Sequence, residues 1–391
     1  MKKTFAKIFA FVLILILLFS GCSDMDNAGA RFSRAVNTEQ NSPDYVEGED
    51  YQNFLSSVSA MAKAQSGYYY FNDLMLYYFD AEAKEAYPVC NKPNCDHQTA
   101  SCMAYFNLFQ YHPFMLSYYE NALYVWGWEE DGSTRHNYIY EISLDNYKRK
   151  KVAFLFDGTS SGSIYYIIHR GYIYYIKSGG TELKEQTACL YRVKIGNTGT
   201  NKEEEIIYEY SGIGAEIWGL TASGNRLFIL NSSYGDTEGN GYATSYSVID
   251  IHTLESETLV GNGAYSLFAD GNYVYYGKDE NTIYRIDLTT KEETFFCETD
   301  GPCYISADNN YIYFDNLQAI YIDKTDEKNR KITVCDKNGN YVAEVIPQES
   351  KDECYFGGDD YMLFKDMSAG KVYAFDKSQL ATQNRQFIHL Q

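Results

Sequence analysis

A short aromatic strand preceded by a turn residue recurs seven times along this chain, and that repeat limits its fold more than any other feature. The copies are 66–72 (SGYYYFN), 121–127 (NALYVWG), 170–176 (RGYIYYI), 224–230 (GNRLFIL), 271–277 (GNYVYYG), 309–315 (NNYIYFD) and 359–365 (DDYMLFK). Aligned on Tyr70, Tyr124, Tyr174, Phe228, Tyr275, Tyr313 and Leu363, they give a period close to 50 residues, with insertions. A second strand is expected after each, at 74–80, 137–145, 189–195, 246–253, 282–290, 319–325 and 371–378, several of them ending in Asp and polar turn residues. The clearest unit, 265–297, reads YSLFAD, GNYVYYG, NTIYRIDL and KEETFFC, four segments alternating roughly at period 2 and separated by turns. Four short antiparallel strands per unit, repeated seven times, predict an all-β fold, a β-propeller of seven four-stranded blades. An α-solenoid would need apolar spacing of 3.6 within each unit, which is absent. A β-sandwich gives no reason for the period.

Composition agrees. The chain has 40 Tyr, 29 Gly and only 6 Pro, a mixture that suits strands and tight turns, since Tyr packs its ring on a sheet while its hydroxyl reaches water. Hydrophobic content of 45% argues for a packed core rather than disorder.

The N-terminus carries a different signal. Lys2, Lys3 and Lys7 precede an unbroken apolar run from Ile8 to Phe19, long enough for a signal core and short for a membrane span. Ser20-Gly21-Cys22 then resembles a bacterial lipobox, although Phe19 stands where Leu, Val or Ala is more usual. Residues 1–21 are therefore expected to be a lipoprotein signal peptide, and Cys22 the lipidated first residue of an exported, membrane-anchored protein on the extracytoplasmic face. An ordinary signal peptide cut elsewhere is the alternative. Residues 22–52 are polar and acidic and read as a flexible tether, with the folded part at 53–391. Without the leader's three lysines the chain has 30 basic against 53 acidic residues. That balance repels nucleic acid and excludes it as a partner.

The GNYVYY and TIYRIDL strand pair resembles the Tyr-rich propellers of Firmicute lipoproteins, often labelled domains of unknown function, and more distantly the YWTD propellers of lipoprotein receptors. The resemblance covers nearly all of the folded region and implies architecture, with almost nothing about activity. No unit has a true YWTD motif, so the receptor family's ligand rules do not transfer.

One loop carries recognisable chemistry. Cys90, Cys95, His97 and Cys102 have the spacing C-x4-C-x-H-x4-C within 88–105. Three thiolates and an imidazole at this spacing can wrap a tetrahedral Zn²⁺, and similar loops after the first blade occur in the lipoproteins that the chain resembles. A disulfide with one free thiol, or three reduced thiols, remain alternatives. A four-ligand zinc here would be structural, with no open position for water. Cys189 and Cys335 are expected to pack within strands. Cys297 and Cys303 flank a turn they could bridge.

Other motifs have simpler explanations. The G-x-S-x-G match at 158–162 precedes a strand-like segment, whereas a nucleophile elbow needs a helix there. The 335–341 segment lacks a calcium loop's later carboxylate and reads as a hairpin through Asn338-Gly339. His112, His136, His169, His252 and His389 show no local base pattern. Trp126 and Trp128, at i and i+2 before an acidic loop, offer either a ligand-stacking platform or packing between blades, and Trp218 is expected in the core. No catalytic residues stand out. The leading expectation is a non-enzymatic propeller on the cell surface that binds or scaffolds a protein, peptide or glycan. The alternative is a glycan-active hydrolase or lyase using channel carboxylates.

Overall fold

In the computed structural model the described residues are 60–390 except 65, 98, 100, 108–109, 159–163, 178–181, 201–203, 280, 318–329, 350–351, 359, 367–369 and 383–384, together with 31–32 and 44. The expected signal peptide, Cys22 and most of the expected tether lie outside them.

The strands form up-and-down antiparallel meanders in chain order. Unit 1 spans 61–88, unit 2 spans 111–157, units 3 and 4 together span 164–260, unit 5 spans 267–298, unit 6 spans 304–345 and unit 7 spans 353–389. Units 3 and 4 are continuous through one long strand, Glu205–Ser223. Its first half pairs with Glu185–Lys194 and its second half with Arg226–Tyr234, so it closes one meander and opens the next. With the long strand shared between two groups, the described strands thus divide into seven groups of four, and Arg31–Phe32 adds to unit 5 as a fifth strand paired antiparallel with Glu293–Glu298. The aromatic repeats are the second strand of each group.

The apolar faces explain why the groups form a ring. Each hydrophobic cluster contains residues of two consecutive units. Leu123 and Val125 of unit 2 pack with Tyr69 and Phe71 of unit 1. Ala122, Tyr124 and Trp126, on the opposite face of the same strand, pack with Ile173 and Tyr175 of unit 3. The same alternation joins units 3 and 4, 4 and 5, 5 and 6, and 6 and 7. A seventh cluster joins unit 7 to unit 1 through Tyr355, Leu363, Tyr68 and Tyr70. Both faces of every sheet are therefore buried against neighbours, as a β-propeller requires. The closing unit 7 takes its fourth strand, Phe387–His389, from its own end of the chain.

Local sequence sets the turns. The third strand of five units ends in Asp80, Asp250, Asp287, Asp336 or Asp376, and in each the side chain accepts backbone N–H groups two to four residues on. These Asx turns satisfy the backbone as the chain leaves the strand. The Thr253 N–H, and after it the His252 N–H, hold the Asp250 carboxyl below its ordinary range against the opposing effect of its partial burial.

Three expectations need correction. Tyr70 faces unit 7, whereas Tyr124, Tyr174, Phe228, Tyr275 and Tyr313 each face the following unit; the true equivalent in unit 1 is Tyr69. A one-residue slip moves a strand residue to the other face, and three consecutive tyrosines concealed the slip. The strand expected at 319–325 lies outside the described residues, and the partner of Tyr311–Asp315 is Ile332–Asp336. Trp218 is 42% exposed rather than buried, beside a register shift in the long shared strand.

Candidate metal centre

The Cys/His loop leaves unit 1 after its outer strand, Glu85–Pro88, and returns before the first strand of unit 2, Tyr111–Tyr119. Its two ends are pinned to unit 1 by backbone bonds. Val89 N–H donates to Leu76 O at 2.9 Å, Leu76 N–H to Ala104 O at 2.9 Å and Phe106 N–H to Leu74 O at 2.7 Å. Left-handed backbone at Asn94 (φ 56°) and His97 (φ 57°) folds the loop back on itself.

This folding brings all four side chains together. The ligand atoms of Cys90, Cys95, His97 and Cys102 lie within 4.8 Å of one another, and His97 Nδ1 is 3.4 Å from Cys102 Sγ. Two sulfurs bound to one Zn²⁺ at about 2.3 Å stand about 3.8 Å apart, so small side-chain rotations would close the set on an ion. The three cysteines are free thiols. The donor set therefore fits a soft, tetrahedral metal such as zinc.

The surroundings favour thiolates at one end. Burial opposes ionisation of Cys90, but N–H groups of Lys92 and Met103 and the thiols of Cys102 and Cys95 hold it below the ordinary cysteine range. Burial pushes Cys102 up to about 11, against a bond from the Ala104 N–H and with Cys90 and Cys95 adding to the rise. Lys92 and Ala104 each lie two residues after a cysteine, so the backbone itself supplies outer-shell donors to the sulfurs.

The loop is a wedge between units 1 and 2. Cys102, Ala104 and Phe106 belong to the core cluster joining those units, and Cys90 and Cys95 pack against it. Arg149 of unit 2 clamps the returning chain. Its guanidinium lies 3.6 Å from the Phe106 ring centre and donates to the carbonyls of Met103 and Tyr105. Nothing in the strand sequence RKKVAFLFD distinguished Arg149 from its basic neighbours.

The remaining candidates separate from this centre. Trp126 and Trp128 are 7% and 9% exposed and pack between units 2 and 3, so the packing alternative holds and a stacking platform does not. Trp126 donates to Asn137 Oδ1 at 3.2 Å and Arg135 covers the Trp128 ring. Cys297 and Cys303 are free and buried in the cluster joining units 5 and 6. Cys335 is buried in a strand, and Cys189 is half-buried in one. The Asn338-Gly339 hairpin forms as expected.

No family model matches the chain, and no curated protein matches it. Solved structures do. A computationally designed protein, Ika8, is 12% identical over 88% of this chain and 88% of its own, with a TM-score of 0.45. A structure of the nidogen/laminin complex is 8% identical over 72% of this chain and 94% of the matched one, with a TM-score of 0.41. Dipeptidyl peptidase 4 of Porphyromonas gingivalis is 10% identical over 90% of this chain and 62% of its own, with a TM-score of 0.46.

Proposed function

We propose that this chain is an exported lipoprotein, anchored through Cys22, whose seven-bladed propeller is a non-enzymatic binding or scaffolding module with a structural zinc between its first two blades. The observation that carries the structural role is the closed donor set. Four protein ligands converge in a wedge that is already part of the core joining units 1 and 2, and a metal with four protein ligands has no site left for a substrate or reactive water. The residues of the centre would therefore serve to hold two blades at a fixed angle.

A binding role is supported by the rigid ring and by what its rim offers. Buried clusters on both faces of every sheet fix the disc, which leaves the connecting loops to recognise a partner. On one rim an open cleft of 620 Å³ spans units 1, 6 and 7 and includes Lys63, Glu82, Tyr311, Asp360, Tyr361 and Asp376. Its mixture of charged groups and tyrosines suits a polar peptide or glycan.

Two experiments test this reading. Labelling cells with a tagged fatty acid should mark the protein, and Cys22→Ser should abolish the label; an unchanged label would remove the anchor. Panels of envelope glycans and peptides should show saturable binding weakened by Tyr311→Ala, with the ligand recovered intact. Cleavage of the bound ligand would overturn the non-enzymatic role.

A further inference from the structure

The strand-connecting turns of units 3 and 4 meet at a basic corner that already holds a carboxylate. Asn225 N–H donates to Asp44 Oδ2 at 2.9 Å, and the Arg226 guanidinium stands 4.0 Å from Asp44 Oδ1. Arg170 donates through Nη2 to the Asp44 backbone carbonyl and through Nη1 to Asn225 Oδ1. His252 Nε2 lies 3.0 Å from the same Asn225 oxygen, which fixes the turn from its other side.

The corner is shaped for this occupant. Gly224 is left-handed, with φ of 58°, and a Cβ there would stand 2.7–2.9 Å from the Asp44 carboxylate. Any side chain at 224 would therefore be strained and would crowd the carboxylate. Behind the turn, fully buried His169 bonds the Gly224 carbonyl through Nε2 at 2.7 Å. The Asp44 carboxylate thus meets a backbone N–H, the Arg226 guanidinium and a bare glycine, while Arg170 holds the Asp44 backbone carbonyl, in a chain whose formal charge is −20. A backbone N–H donating to an ionised carboxylate is a charge-assisted bond, and the nearby Arg226 charge favours the ionised form.

We propose that this corner is a carboxylate-binding site whose resident ligand is Asp44 of the chain's own N-terminal part, a latch that ties this point of the chain to the turns of units 3 and 4. Asp44 is then held at units 3 and 4, while Arg31–Phe32 pairs with the outer strand of unit 5 and the first strand of unit 1 begins only at Met61.

Amide hydrogen exchange on the full chain tests the latch. In Asp44→Ala the Asn225 amide should exchange about tenfold faster than in the parent, and Gly224→Ala should produce the same change by crowding the carboxylate. A synthetic peptide of residues 40–48 should then restore protection to Asp44→Ala, whereas the same peptide with Ala at position 44 should not. Unchanged Asn225 exchange in Asp44→Ala, or equal protection by the two peptides, would overturn the proposal. Neither readout depends on metal content or lipidation.

Discussion

Tyr68 and Tyr361 close the ring by a reciprocal pair of bonds across 293 residues of sequence. The Tyr361 N–H donates to Tyr68 Oη at 3.1 Å, and that hydroxyl donates to the Tyr361 carbonyl at 3.3 Å. The two rings meet edge-on, and Tyr68 is fully buried. Neighbouring bonds reinforce the seam: Lys63 N–H donates to Tyr355 Oη at 2.8 Å, and Lys365 Nζ to Phe71 O at 2.9 Å. Among the described residues the junction of first and last units is therefore held by side chains, with no strand of unit 7 taken from the other terminus.

Removing the hydroxyl alone isolates its share. Tyr68→Phe leaves a buried N–H unpaired and should cost about 1–3 kcal/mol. Tyr68→Ala also opens a cavity and should cost about 3–5 kcal/mol. Urea unfolding measures both. Equal midpoints for the parent and Tyr68→Ala would show that the seam contributes nothing to stability.

Buried and exposed ion pairs on the same rim should behave differently. Lys377 and Asp308 are each 2% exposed and bonded to each other, and Tyr313 Oη also donates to Asp308. Asp308→Asn strands a buried ammonium and should cost about 3–5 kcal/mol. The Lys63–Asp360 pair at 3.4 Å has a carboxylate that is 58% exposed, so Asp360→Asn should cost less than about 1 kcal/mol. Denaturation of the two variants in parallel gives the comparison.

Asp352 makes stability depend on pH. It is fully buried, and burial together with Asp366 and Glu349 pushes its carboxyl up to about 6, opposed by bonding to the Glu349 N–H and by Arg330. Burial is the largest influence. The folded state therefore holds this proton more tightly than the unfolded chain, whose value is near 3.8. Its stabilising contribution is complete below about pH 4 and is lost as pH rises through about 6. Asp352→Asn keeps an acceptor for the Glu349 N–H. It should flatten that slope and be more stable than the parent at pH 7 by on the order of 1–3 kcal/mol. A parallel loss of stability in parent and variant between pH 4 and 6 would contradict the assignment.

The three tryptophans should divide by solvent access. Acrylamide should quench Trp218, which is 42% exposed, far more than Trp126 and Trp128. Trp218→Phe should remove most of the quenchable emission. Strong quenching in that variant would place the tandem tryptophans at the surface.

Much of this was legible in the sequence, for reasons that can be located. Aromatic strands recur because each second strand buries both faces against neighbours, and terminal aspartates recur because the following turn needs an acceptor, as at Asp250 and Asp287. The spacing of Cys90, Cys95, His97 and Cys102 was informative because all four lie in one loop, where sequence distance limits spatial distance. Other features depended on partners far away in the chain. Tyr69 and Tyr70 are chemically identical neighbours, and only the blade each one faces tells them apart. Trp218 has an ordinary strand context, yet a bulge in the long shared strand turns it outward, with its indole donating to Ser232 Oγ at 2.7 Å. Arg149 acts on a loop more than forty residues earlier, a contact with no local signature.

Metal and free-thiol content of the full chain, purified in detergent, tests the proposed centre most directly. The account predicts about one zinc per chain, retained through dialysis and lost together with thermal stability in Cys95→Ser and His97→Ala. Absence of zinc with two thiols missing from the free-thiol count would contradict it and make the loop a disulfide.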